Sequence, residues 1–100
     1  MNPDALAWAA SAGLFAAGVA FLVLRRQLVA MVIGVELMVN GANLLIVYHA
    51  ARRGDPSGYA AALLILAAAA AEVVVGLSLI LALRRDGEAA ETGHVRNLAG

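Results

Sequence analysis

The sequence predicts an all-α membrane protein built from three transmembrane helices. Three observations carry that expectation. The chain has 100 residues and is 63% hydrophobic, with a mean hydropathy of +0.86. That is more apolar surface than so short a soluble domain could hide. The apolar residues gather into three stretches, each reaching the ~20 residues that a spanning helix needs. No Pro falls inside any of the three.

The first span runs over about residues 5–24. It is expected to be a retained helix rather than a cleaved leader, because Asp4 and no basic region precede it. Arg25, Arg26 and Gln27 alone separate it from the second span, residues 28–48. A connection this short makes the two helices an antiparallel hairpin. Residues 51–58 read as a polar turn containing Gly54, Asp55, Pro56 and Gly58. The third span covers residues 59–83 and includes the Ala67–Ala71 run, a surface that lets another helix approach closely. The tail, residues 86–100, is polar and reads as a solvated end. His94, Val95 and Leu98 are the residues through which it would dock on a neighbour. The whole chain, residues 1–100, reads as a single membrane domain.

Orientation follows from the basic residues, all of which are Arg. Arg25, Arg26, Arg84, Arg85 and Arg96 fall on one side, and Arg52 and Arg53 on the other. The positive-inside rule then places the first loop and the C-terminus in the cytoplasm and the N-terminus outside. Trp8, Tyr48 and Tyr59 stand near span ends, as aromatic belt residues do.

Composition also excludes several function classes. Formal net charge is zero and no basic stretch suits nucleic acid. Without Cys there is no disulfide, thiol chemistry or thiolate-bound metal. Two His residues give no metal-ligand spacing.

The chemistry lies in Glu36 and Glu72, each inside an apolar span. A charged group at the bilayer centre costs about 2.5–3.5 kcal/mol on insertion scales. Such residues mark ion or proton pathways by default. Removal from water drives a carboxyl toward its neutral form, and two interacting acids titrate as a pair. At ~1.5 Å per residue, Glu36 lies about 12 Å and Glu72 about 20 Å from the start of its span. The spans run in opposite directions, so the acids are expected at similar depth.

On a helix, Glu36, Asn40 and Asn43 fall on one stripe. That stripe should face protein or water, with the Asn amides near the carboxylate. Gly34 and Gly41 lie off it and suit close packing. Glu72 is bracketed by Ala68 and Gly76, with Ala61 and Ala69 near the same face. Ser78 falls on another face. The competing structural reading makes each Glu the partner of a basic residue on a neighbouring subunit. It makes Asn40 and Asn43 interhelical hydrogen-bond glue. On their own, Arg25 and Arg26 read as a topology signal and His49 as an interface residue.

The segment from Arg25 to Leu44, RRQLVAMVIGVELMVNGANL, resembles the second-helix motif of subunit K of the proton-pumping NADH:quinone oxidoreductase, respiratory complex I. Ala69 to Leu79, AAAEVVVGLSL, resembles its third-helix motif. The resemblance covers essentially the whole chain. It implies a core membrane-arm subunit in a bacterial-type inner (cytoplasmic) membrane. The implied place is between the quinone-site-proximal end of the arm and the antiporter-like subunits. It implies that Glu36 and Glu72 pass protons or charge along the arm, Glu36 being the more critical. Arg25 and Arg26 are implied in coupling. No cofactor is expected on this chain; NADH, FMN, iron–sulfur clusters and quinone belong to other subunits. The implied activity is that of a translocase, in which this chain holds no redox centre. One departure is the Ala67–Ala68 stretch, where relatives often carry Ser or Thr before the acid.

The nearest rival is the C-type subunit of a multisubunit sodium/proton antiporter, similar through the second span. Glu72 in its Ala-rich setting discriminates against it. A rotor-ring subunit of ATP synthase has two spans and one essential acid. A small multidrug transporter would need four spans.

Overall fold

The computed structural model describes the backbone of residues 2–99 and the side chains of residues 2–87. It contains three helices: α1 (Pro3–Leu24), α2 (Leu28–Arg53) and α3 (Pro56–Ala99). All three are long and apolar enough to cross a membrane, α3 through its Pro56–Gly87 portion.

Local sequence sets each boundary. The Asn2 side chain accepts from the Ala5 amide at 2.7 Å, and Pro3 occupies the first helical position. That is the favoured start, because Pro lacks only an N–H that would be unpaired there. α1 stops where Arg25 turns extended, its N–H still donating to the Phe21 carbonyl at 3.1 Å. α2 ends at Gly54, which takes φ 61 and ψ 40. This left-handed conformation is open to Gly and costly for other residues. Asp55 then caps α3, its Oδ1 accepting from the Ser57 amide at 3.0 Å, with Pro56 opening the helix.

These caps correct the expected second connection. The polar turn anticipated over residues 51–58 shrinks to Gly54 and Asp55, and the second span extends from Tyr48 to Arg53. Hydropathy marks where hydrocarbon ends, whereas a helix ends where a residue breaks it. The α3 backbone continues through the polar tail to Ala99. Docking through His94, Val95 and Leu98 concerns side chains outside the described residues.

α2 packs against both α1 and α3, whose backbones do not approach each other among the described residues. The two shorter dimensions of the chain are 27 and 12 Å. Since one helix with its side chains is about 10–12 Å across, this is a layer one helix thick. The core is correspondingly small-grained. Its buried residues are Ser11, Gly18, Ala30, Gly34, Gly41, Asn43, Ala50, Ala62 and Ala69. Large side chains such as Val23, Leu24, Leu63 and Leu64 point outward. Lipid solvates such a surface, and helix association there relies on close backbone approach rather than on burying large side chains.

The α1–α2 seam repeats every seven residues, Ser11 and Gly18 against Gly34 and Gly41. A Cβ on Gly34 would lie 2.7 Å from the Gly18 carbonyl oxygen. One on Gly41 would lie 2.8 Å from the Ser11 carbonyl oxygen. The expected packing role of Gly34 and Gly41 is therefore met, and α1 is what they pack on. At the far end of this hairpin, Arg52 donates to Asp4 at 2.7 Å and to the Tyr48 hydroxyl at 3.0 Å. Tyr48 donates to Asp4 as well.

Candidate functional site

The α2–α3 seam carries the acids. Its register can be read from two close approaches. A Cβ on Gly58 would meet that of Ala50 at 2.5 Å, and one on Gly76 would meet Val32 at 3.6 Å. Four residues along α2 from Val32 is Glu36, and four residues back along α3 from Gly76 is Glu72. In an antiparallel pair equal steps in opposite chain directions keep level. The two acids therefore stand at one depth, as their span positions had implied.

Both line the same open groove, of about 400 Å³, whose walls include Leu22, Met31, Val35, Gly76 and Leu79. Apart from the acids its walls are apolar side chains and Gly76. Glu36 is half-buried in the seam, whereas Glu72 sits exposed at the rim. Among the described residues neither makes an ion pair or a side-chain hydrogen bond.

The expected polar stripe divides. Asn43 is buried and donates from Nδ2 to the Ala62 carbonyl at 3.2 Å, tying α2 to α3. Its Oδ1 is buried without a partner. Asn40, one turn from Glu36, is exposed. Only Asn43 thus lies in the seam with the acid. Around Glu72, Gly76 and Ala69 face α2, while Ala61 and Ala68 are exposed. Ser78 lies away from the acids and bonds the Val74 carbonyl of its own helix at 2.7 Å.

Arg25 and Arg26 are exposed in the first loop, at the end of the layer where Arg84 borders a small pocket with Gln27 and Leu28. They are not part of the acid groove. His49 meets Trp8 edge-on with ring centroids 6.0 Å apart and Tyr48 at 5.5 Å. The contacts of Asp4 with Tyr48 and Arg52 were not anticipated. Their signal was available, since a tight hairpin of two similar helices must bring its far ends together. Among the described residues no three His, Asp or Glu side chains gather as a metal site.

Comparison with known proteins gives a consistent result. A family model described as NADH-ubiquinone/plastoquinone oxidoreductase chain 4L matches residues 6–100. Three similar proteins are each named NADH-quinone oxidoreductase subunit K. That of Anaeromyxobacter dehalogenans is 39% identical over 92 residues, 92% of each chain. That of Roseiflexus castenholzii is 36% identical over 90 residues, 90% of each chain. That of Deinococcus radiodurans is 36% identical over 100 residues, 100% of this chain and 97% of the relative.

Proposed function

The chain belongs to the NADH-ubiquinone/plastoquinone oxidoreductase chain 4L family, and from that premise we propose that it is a core membrane-arm subunit in which Glu36 and Glu72 form one proton-handling unit. The observation that supports this reading is their shared groove. Proton or charge movement driven by quinone reduction elsewhere in the complex passes through the pair, and Glu36 contributes most. Asn43 holds the two helices that carry the acids. Asn40 supports Glu36 from the open face of α2. Arg25 and Arg26 act in coupling from the first loop.

The subunit contributes translocase function without a redox centre. NADH, FMN, iron–sulfur clusters and quinone are held by other subunits. Its partners are the antiporter-like and quinone-site-proximal subunits of the membrane arm, and the bilayer around them. A layer one helix thick leaves Glu72 uncovered and needs such neighbours to keep lipid off it. The membrane is a bacterial-type inner membrane. The N-terminus lies outside and the C-terminus lies in the cytoplasm, with Arg25, Arg26, Arg84 and Arg85 on the cytoplasmic side.

The test is Glu36→Gln in native membranes, with assembly checked first. NADH-driven quinone reduction and proton pumping are recorded together. Both should fall by at least tenfold, since a positioned proton-transfer group contributes about 10²–10⁴-fold. Normal reduction with normal pumping would sink the role.

A further inference from the structure

A second pocket lies at the opposite end of the hairpin from Arg25, where α1 begins, α2 ends and α3 begins. Its volume is about 400 Å³, and its walls include Trp8, Leu45, Ile46, His49, Arg53 and Asp55. The wall changes character along the helix axis. Leu45 and Ile46 stand on the membrane side, while Arg53 and Asp55 stand one to two turns beyond, past the apolar span. Trp8 and His49 lie between, in edge contact. This is the polarity gradient of a membrane–water interface, where amphipathic rings and Arg sit at headgroup level.

The two charged groups differ in what occupies them. Arg52 is engaged with Asp4 on the neighbouring face. Arg53 makes no ion pair among the described residues. Asp55 commits Oδ1 to the Ser57 amide. Its Oδ2 lies over Gly58, 3.7 Å from where a Cβ would stand, and Gly58 also borders this pocket. The pocket therefore offers one cation and one uncommitted carboxylate oxygen above an apolar floor.

We propose that this pocket binds the headgroup of an ethanolamine-class phospholipid, its phosphate against Arg53 and His49 and its ammonium against Asp55. The charge pattern decides the headgroup. A guanidinium pairs with phosphate through charge-assisted hydrogen bonds. An adjacent carboxylate repels a purely anionic lipid and rewards a headgroup carrying its own ammonium. A choline headgroup has the charge but no N–H to donate to Asp55. The acyl chains run down over Leu45 and Ile46.

The test uses the whole complex, purified in detergent and exchanged into phospholipid with ethanolamine, choline or glycerol headgroups. Retained lipid is counted by mass spectrometry. The parent complex should retain ethanolamine lipid in preference to the other two. Arg53→Gln should weaken this one site roughly tenfold, the scale of one lost charge-assisted hydrogen bond, read as the loss of about one ethanolamine lipid per complex, and Arg53→Lys should restore most of it. Asp55→Asn keeps an acceptor for the α3 cap. It should abolish the preference for ethanolamine over glycerol lipid, and it decides the matter alone if Arg53→Gln prevents assembly. Arg84→Gln, at the other end of the layer, should change nothing. Equal retention of ethanolamine lipid by the parent, Arg53→Gln and Asp55→Asn would overturn the proposal. So would a parent complex without headgroup preference.

Discussion

α2 presents one face to α1 and the opposite face to α3, and the two seams are built differently. Against α1 the contact is glycine on backbone, Gly34 on Gly18 and Gly41 on Ser11. One end is held by the short Arg25–Gln27 connection and the other by Asp4, Tyr48 and Arg52. Against α3 the small residues Ala62, Ala69 and Gly76 allow approach, and Asn43 provides the polar tie. This seam then opens into a groove holding two acids. Close backbone contact leaves no room for a carboxyl or water. A seam with room for both gives up part of that contact. The hairpin side is therefore a scaffold, and the α3 side is where polar chemistry is accommodated.

The contrast can be broken most severely at Gly34. Gly34→Val should drive side-chain atoms into the Gly18 carbonyl and the Leu22 amide, which a Cβ alone would meet at 2.7 and 3.2 Å. Overpacking of this kind costs about 1–3 kcal/mol, and backbone on both sides leaves little relief. The amount of assembled complex on native gels should fall sharply. Asn43→Ala should have a smaller effect. It removes one interhelical hydrogen bond, worth about 0.6 kcal/mol on average in membranes. Faster hydrogen exchange over residues 56–66 of the purified complex, with assembly retained, is the expected sign. Gly76→Ala should be tolerated, because its Cβ meets Val32 at an ordinary 3.6 Å; near-parental levels of complex on the same gels would show it. Smallest of all is Arg52→Gln. Its ion pair with Asp4 is exposed, and exposed pairs contribute little, so complex yield should not change. Equal damage from Gly34→Val and Gly76→Ala would remove the distinction between the seams.

Much of this was legible in the sequence. Three spans follow from hydropathy, and the near-equal depth of Glu36 and Glu72 follows from helical rise and opposite chain direction. The helix ends were less legible, because apolar composition stops at Tyr48 while the backbone continues to Arg53. Gly54 and the Asp55–Pro56 pair did carry the stop and start signals. The stripe of Glu36, Asn40 and Asn43 was visible, but its division was not. Which of two nearby angular positions meets α3 depends on where α3 packs, and no local pattern fixes that. Asn43 fell inside the seam and Asn40 outside it. The seven-residue spacings of Ser11 with Gly18 and of Gly34 with Gly41 were readable singly. Their pairing needed the hairpin register.

The central claim is that Glu36 and Glu72 act as one unit within a shared groove. A double-mutant cycle tests it most directly, with Glu36→Gln, Glu72→Gln and the double variant compared for the rate of NADH-driven proton pumping per assembled complex. Groups that act together are strongly non-additive. The double variant should pump no worse than Glu36→Gln alone. If the two losses instead multiply, the acids act independently, and the groove is not a single site.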